Sequence, residues 1–102
     1  MTGKLFNNSV QALYDTGASI SCISEEAFRH IPPDQRPARK LCESVRFTSA
    51  GGQPLNVRGK YNIPLQIADK KISHDFYVIR NLSEPVILGI DFITQHLSLI
   101  HI

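Results

Sequence analysis

The chain has 102 residues, enough for one modest hydrophobic core, and is expected to form a single domain across residues 1–102. Hydrophobic residues make up 42% and charged residues 20%, which excludes a charge-driven disordered polypeptide. The net charge of +2 gives no push toward nucleic acid, and no apolar run reaches the length of a membrane span, so neither partner is expected.

The elements follow in chain order. Lys4 leads into polar Asn7, Asn8 and Ser9, so no signal peptide is read and an intracellular location is expected. The only cysteines, Cys22 and Cys42, then read as reduced thiols. Residues 9–14, SVQALY, carry Val10, Ala12, Leu13 and Tyr14 and predict a strand entering the core. The alternating residues 19–24, SISCIS, predict another. Ser24 followed by Glu25 and Glu26 predicts a capped helix start, with acids at the positive end of the dipole. Pro32-Pro33 keeps that helix short. Residues 32–40 read as a polar loop, and Arg36, Arg39 and Lys40 as solvated charges too few to define a nucleic-acid site.

From Leu41 the pattern turns to β. Residues 42–49 and 54–68 flank Ala50, Gly51, Gly52 and Gln53, and paired glycines between strands signal a hairpin tip needing positive φ. Asp69-Lys70 reads as a turn, 71–80 as a strand and 81–85 as a loop. VILG, 86–89, reads as a short apolar strand ending in glycine. Residues 90–97 have apolar side chains at helical spacing (Ile90, Ile93, Leu97), and 98–102 alternate as a last strand. About seven short strands with one or two small helices make the chain mainly β.

Three features carry chemistry: Asp15-Thr16-Gly17 after an apolar strand, the Gly51-Gly52 tip, and Ile87-Leu88-Gly89 near the end. D-T-G alone would recur by chance in about one or two of every hundred chains this long. The conjunction is far more specific. In order and spacing, LYDTGAS, FTSAGGQPLNVRG and VILGIDFI resemble the retropepsins, the retroviral-type aspartic proteases. The second and third are most similar to proteases of gypsy-type LTR retrotransposons or host genes derived from them. The resemblance covers about residues 8–102.

That resemblance implies a closed β-barrel of the acid-protease fold with one or two short helices, paired as a twofold symmetric homodimer. It implies an aspartic endopeptidase that cleaves a Gag-Pol type polyprotein and works in the cytoplasm or a virus-like particle without a cofactor. Two carboxylates sharing a proton can serve as base and acid for peptide hydrolysis. Only Asp15 has the required setting here; Asp34, Asp69, Asp75 and Asp91 lack the apolar strand and the Thr-Gly that follows. One Asp15 from each subunit is therefore expected at the twofold axis.

By resemblance, Thr16 hydrogen-bonds across the axis, Gly17 lets backbone approach substrate, and Ala18 keeps the cleft floor small. Ala50, Gly51, Gly52 and Gln53 correspond to the tip of a flap closing over the peptide. Ile87 is expected to face the cleft, Leu88 the core, and Gly89 to allow close helix packing. Asp91 is expected to make a structural hydrogen bond. The apolar end, LSLIHI, would pair with the partner chain, with the less strand-like KLF contributing.

The sequence departs from retroviral relatives at Ser19 and Ile90, where an acid and an arginine often pair to brace the dimer. His30, His74, His96 and His101 are scattered, no metal-ligand spacing is present, and no metal is expected. Two rival readings stay open: a domesticated or relic dimerising module that binds peptides without cutting them, and a small β domain with a coincidental D-T-G.

Overall fold

The computed structural model describes residues 2–6, 8–36, 39–40, 47–48, 54–67 and 70–96. Among them are strands β1 (Thr2–Leu5), β2 (Asn8–Tyr14), β3 (Cys22–Ser24), β4 (Arg39–Lys40), β5 (Phe47–Thr48), β6 (Pro54–Leu55), β7 (Val57–Ile67), β8 (Lys70–Ile79) and β9 (Val86–Leu88). Two short helices, α1 (Glu25–Arg29) and α2 (Ile90–Gln95), complete the set with a 3₁₀ turn at Pro33–Gln35.

The main sheet runs β1-β2-β9-β3-β8-β7-β4, and a further pairing of β1 with β7 closes six of these strands into a barrel. Closure leaves β1 hydrogen-bonded on both sides, which removes an exposed edge. The long antiparallel ladder of β7 and β8 forms the wall, from Val57 opposite Ile79 to Ile67 opposite Lys70. Its side chains alternate as a two-residue period requires. Ile63, Leu65 and Ile67 on β7, and Ile72, Phe76 and Val78 on β8, point inward and are buried. Ile23, Ile31, Val86, Leu88 and Phe92 join them in one core.

Helix α1 starts as its sequence predicts. The Ser24 hydroxyl accepts from the Ala27 N–H at 3.1 Å, and Glu25 and Glu26 occupy the first turn. Arg36 then folds back, donating to the carbonyls of Ile31 and Arg29, so the proline segment is tied to the helix it terminates.

The structure departs from the sequence expectations in three places. The strand expected over 19–24 is only Cys22–Ser24, because residues 15–21 make the bonds of a turn. The loop expected over 32–40 contains the 3₁₀ turn and β4, which pairs with β7. Lys4 and Leu5 of KLF end a strand, Thr2–Leu5, that pairs with β2 and β7 of its own chain, and Phe6 turns out of it with a positive φ of 56°. The hairpin expected around residues 50–53 is present in the pairing of β5 with β6, Phe47 opposite Leu55 and Thr48 opposite Pro54, while its tip, 50–53, lies outside the described residues. The expected terminal strand, 97–102, also lies outside them. Among the described residues no helix is long and apolar enough to cross a membrane.

Leu65 is fully buried in the barrel wall and Gln66 beside it is exposed. Leu65→Ala is expected to cost about 2–5 kcal/mol through lost burial and a residual cavity. Gln66→Ala should stay within about 0.5 kcal/mol. Urea titration of both variants at one fixed chain concentration measures the contrast.

Candidate active site

Strand β9 lies between β2 and β3. It runs parallel to β2, with Ala12 opposite Val86 and Tyr14 opposite Leu88, and antiparallel to β3, with Cys22 opposite Ile87. The chain from β2 to β3 therefore loops around the end of β9, and Asp15 is the first residue of that loop. Its N–H continues the ladder, donating to the Leu88 carbonyl at 3.0 Å. The Ala18 N–H donates to the Asp15 carbonyl at 3.1 Å, which closes a tight turn.

The side chain is held as well. The Gly17 N–H donates to Asp15 Oδ1 at 2.9 Å, an Asx-type bond that sets the carboxylate's direction. A β-carbon at residue 17 would lie 3.2 Å from that same oxygen. Glycine thus keeps one face of the carboxylate clear. Asp15 is half-buried, with Thr16, Gly17 and Ser19 exposed and Ala18 half-buried beside it.

The fit is tightest at Gly89. A β-carbon there would overlap the Ile20 carbonyl, lying 2.7 Å from its carbon, and sit 2.8 Å from the Ala18 oxygen. Gly89 was expected to serve helix packing; its neighbour is instead the backbone of the Asp15 loop. The adjoining Ile90 N–H donates to the Ala18 carbonyl at 2.8 Å. Leu88 is fully buried and Ile87 half-buried, the alternation expected of a strand with one face in the core.

Beneath the loop is a polar cluster that the sequence did not reveal. The Ser21 hydroxyl is fully buried; it donates to Asp91 Oδ1 at 2.7 Å and accepts from the Gly89 N–H at 3.0 Å. Asp91 also accepts from the Phe92 N–H at 2.7 Å and from the Ser21 N–H at 3.3 Å. His74, buried at 3% exposure, places Nε2 2.9 Å from Asp91 Oδ2 and Nδ1 3.0 Å from His96 Nε2. Asp91 carries the structural hydrogen bond expected of it, and several more. Two of the four histidines that read as scattered, His74 on β8 and His96 at the end of α2, meet in space. A buried polar residue on an otherwise apolar strand face, His74 between Ile72 and Phe76, was the available signal.

Burial raises the Tyr14 hydroxyl above its ordinary pKa, and that hydroxyl has no hydrogen-bond partner among the described residues. Burial, with the Asp91 charge adding to it, pushes the free Cys22 thiol up to about 12. Among the described residues no group of three or more potential ligands could hold a metal ion.

Two observations now define the class of protein: a closed six-strand barrel with two short helices, and an Asp-Thr-Gly turn wrapped around an apolar-apolar-Gly strand. This is the fold of the retroviral proteases. The chain matches the family described as "gag-polyprotein putative aspartyl protease" over residues 1–95, and it belongs to that family. Among solved structures it is similar to the EIAV protease complexed with an inhibitor, at 17% identity and a TM-score of 0.74, covering 100% of this chain and 89% of that one. It is also similar to the retroviral protease-like domain of Ddi1 from Leishmania major, at 20% identity and a TM-score of 0.71, covering 94% and 70%. No curated protein matches the chain.

Two outcomes follow. Gly89→Ala should cost at least about 1–3 kcal/mol, because the added methyl meets backbone that can yield only by moving the Asp15 loop; differential scanning calorimetry reads this as a lowered Tm. Native Cys22 should resist iodoacetamide at pH 8, where a thiol titrating at about 12 supplies almost no thiolate. Peptide mapping after alkylation should show Cys22 modified only in denaturant.

Proposed function

We propose that the chain is one half of a homodimeric aspartic endopeptidase that cleaves a polyprotein of the Gag-Pol type. The observation that carries this reading is the setting of Asp15. Its backbone is bonded to Leu88 and its carboxylate is steered by the Gly17 N–H, yet the group is left partly open. Asp91 is half-buried too, but its carboxylate is engaged by three donors and the His74 ring, the pattern of a group that serves the fold, whereas among the described residues the Asp15 carboxylate accepts the Gly17 N–H alone.

A second carboxylate is needed, and a second copy of the chain is its source. The exposed large apolar side chains among the described residues, Leu13 and Ile90, are 47% and 46% exposed and both flank the Asp15 loop. Apolar surface at the rim of a half-site fits burial against a partner. Ile90 stands where retroviral relatives often place an arginine, so apolar contact takes the place of the bracing ion pair.

In the dimer, a water between the two Asp15 carboxyl groups attacks the scissile carbonyl. The ionised carboxylate takes a proton from the water, and the proton already shared by the pair passes to substrate. Collapse of the tetrahedral species, with proton transfer to the amide nitrogen, releases one acid and one amine. The pair again holds a single proton. The apparent pKa values of this chemistry belong to the pair. The hairpin of β5 and β6 serves as the flap, with Ala50, Gly51, Gly52 and Gln53 touching peptide at its tip. Thr16 steadies the two loops across the axis.

Asp15→Asn should abolish cleavage of an unstructured peptide while the circular dichroism spectrum and Tm stay within those of a folded chain. Wild-type cleavage should be pepstatin-sensitive at mildly acidic pH. Activity should fall faster than linearly on dilution, by up to about fourfold for each twofold step once dimers are scarce. Peptidase activity surviving Asp15→Asn would sink the mechanism. Peptide binding without any cleavage by wild type would establish the relic-module reading instead.

A further inference from the structure

His74 is buried among Phe76, Phe92 and His96, with ring centroids 5.6, 5.0 and 5.1 Å away. Peptide chemistry does not use it, and an apolar residue would fill the same position on β8. The imidazole instead completes a chain of polar contacts: His96, His74, Asp91, Ser21, Gly89. The last member is the residue whose close approach sets the Asp15 loop.

We propose that His74, steadied by His96, is a positioning residue for Asp15: it fixes the Asp91 carboxylate from which the loop is braced. Its role in catalysis rests on the peptidase reading above; its role in holding the loop does not.

The proton inventory follows from the contacts. Three donors, the Ser21 N–H and hydroxyl and the Phe92 N–H, already converge on the Asp91 oxygens, so Asp91 stands as an acceptor-only carboxylate 2.9 Å from His74 Nε2. His74 Nε2 therefore carries a hydrogen. In the neutral ring Nδ1 is then an acceptor, so His96 Nε2 must donate to it. One added proton can be accommodated by either ring, because the other then accepts. A second forces two N–H groups to face each other across 3.0 Å, and the contact must open.

The surroundings limit how else that charge could be balanced. From α2 and its end, Asp91 and His96 face His74. On β7, Lys60 and Asn62 line the same polar cavity of about 280 Å³, and from β8 itself come Asp75 and Tyr77. Lys60 lies 3.9 Å from Asp75, and Cys22 on β3 is close enough to Asp91 for its thiol to feel the carboxylate. Asp91 is the carboxylate in direct contact with the His74 ring.

His96 is held below its ordinary pKa of 6.5, first by burial and then by the neighbouring His74, with Asp91 opposing. The unfolded chain therefore binds the proton more readily. Stability from this site is fully present above about 6.5 and is lost as pH falls through the lower folded-state pKa. Acid thus loosens the brace under Asp15.

The test uses His74→Phe and His96→Gln. The glutamine amide can donate to His74 Nδ1 and cannot titrate. His96→Gln is expected to keep the neutral-pH Tm and to flatten its fall between about pH 7 and 5. His74→Phe is expected to speed amide exchange at Gly89 at least about tenfold. It should also lower kcat about 10- to 100-fold with KM changed less than about twofold. Imidazole ¹⁵N spectra of wild type at neutral pH should show His74 protonated at Nε2.

An unchanged Tm–pH curve in His96→Gln, or a His74 ring protonated only at Nδ1, overturns the proposal. So does unaltered Gly89 exchange in a folded His74→Phe. Absence of peptidase activity in wild type at every pH would overturn the proteolytic reading instead, and exchange and tautomer would then decide the loop-positioning role alone.

Discussion

The contact between Gly89 and the Ala18–Ile20 backbone is the constraint on which the candidate site depends. Three consecutive residues at the end of β9 bond to the loop that encloses them: Leu88 accepts from Asp15, Gly89 donates to Ser21, and Ile90 donates to Ala18. Such a sequence of bonds requires backbone-to-backbone approach, and a single β-carbon would prevent it. Each bond contributes only about 1 kcal/mol net, but leaving one of these groups buried and unpaired costs about 1–3 kcal/mol. The loop therefore has one well-paired arrangement, and Asp15 acquires its position from the backbone before its own side chain makes any contact.

That arrangement accounts for polar residues in a core otherwise built from Ile, Leu, Val and Phe. Ser21 and His74 are nearly inaccessible to solvent, so each of their polar groups needs a partner within the protein. The cluster meets the requirement. Ser21 uses its one proton on Asp91 and its lone pair on Gly89, and Asp91 receives donors at both oxygens. Replacing the set with apolar side chains could preserve burial, but the Gly89 N–H would lose its acceptor. The cluster is there to satisfy the backbone that Gly89 brings so close.

Much of this architecture was legible in the sequence, for physical reasons that also mark where legibility stopped. Asp15-Thr16-Gly17 and Ile87-Leu88-Gly89 are local patterns whose meaning depends on neighbours in sequence, and the structure brings the two together. The Ser24 cap and the Pro32-Pro33 stop are likewise local. Residues 19–24 misled because alternation predicts a strand whether or not a ladder partner is free; Ser19, Ile20 and Ser21 are instead spent on the loop. Thr2–Leu5 is too short and polar to announce a strand, and gains its order from pairing with Asn8–Gln11. The His74–Asp91–His96 cluster left one local sign, a polar His74 on the apolar face of β8, because its members are joined only by the meeting of β8 and α2. Spacing along the chain carries no trace of it.

Two demands on protonation then meet at one loop. On the proposed mechanism a pair of Asp15 carboxyl groups would work while it holds a single proton, which favours acid. The two histidines beneath tolerate one proton between them and lose their contact with a second, which favours the opposite direction. Because the brace and the carboxylates are linked through Gly89, neither demand can be met by moving the other group away. For the proposed dimeric peptidase, the usable pH range would be bounded below by the imidazoles and above by loss of the shared carboxyl proton. A retroviral-type ion pair at positions 19 and 90 would add a brace insensitive to this range; with Ser19 and Ile90 there, the polar cluster under the loop bears more of the positioning.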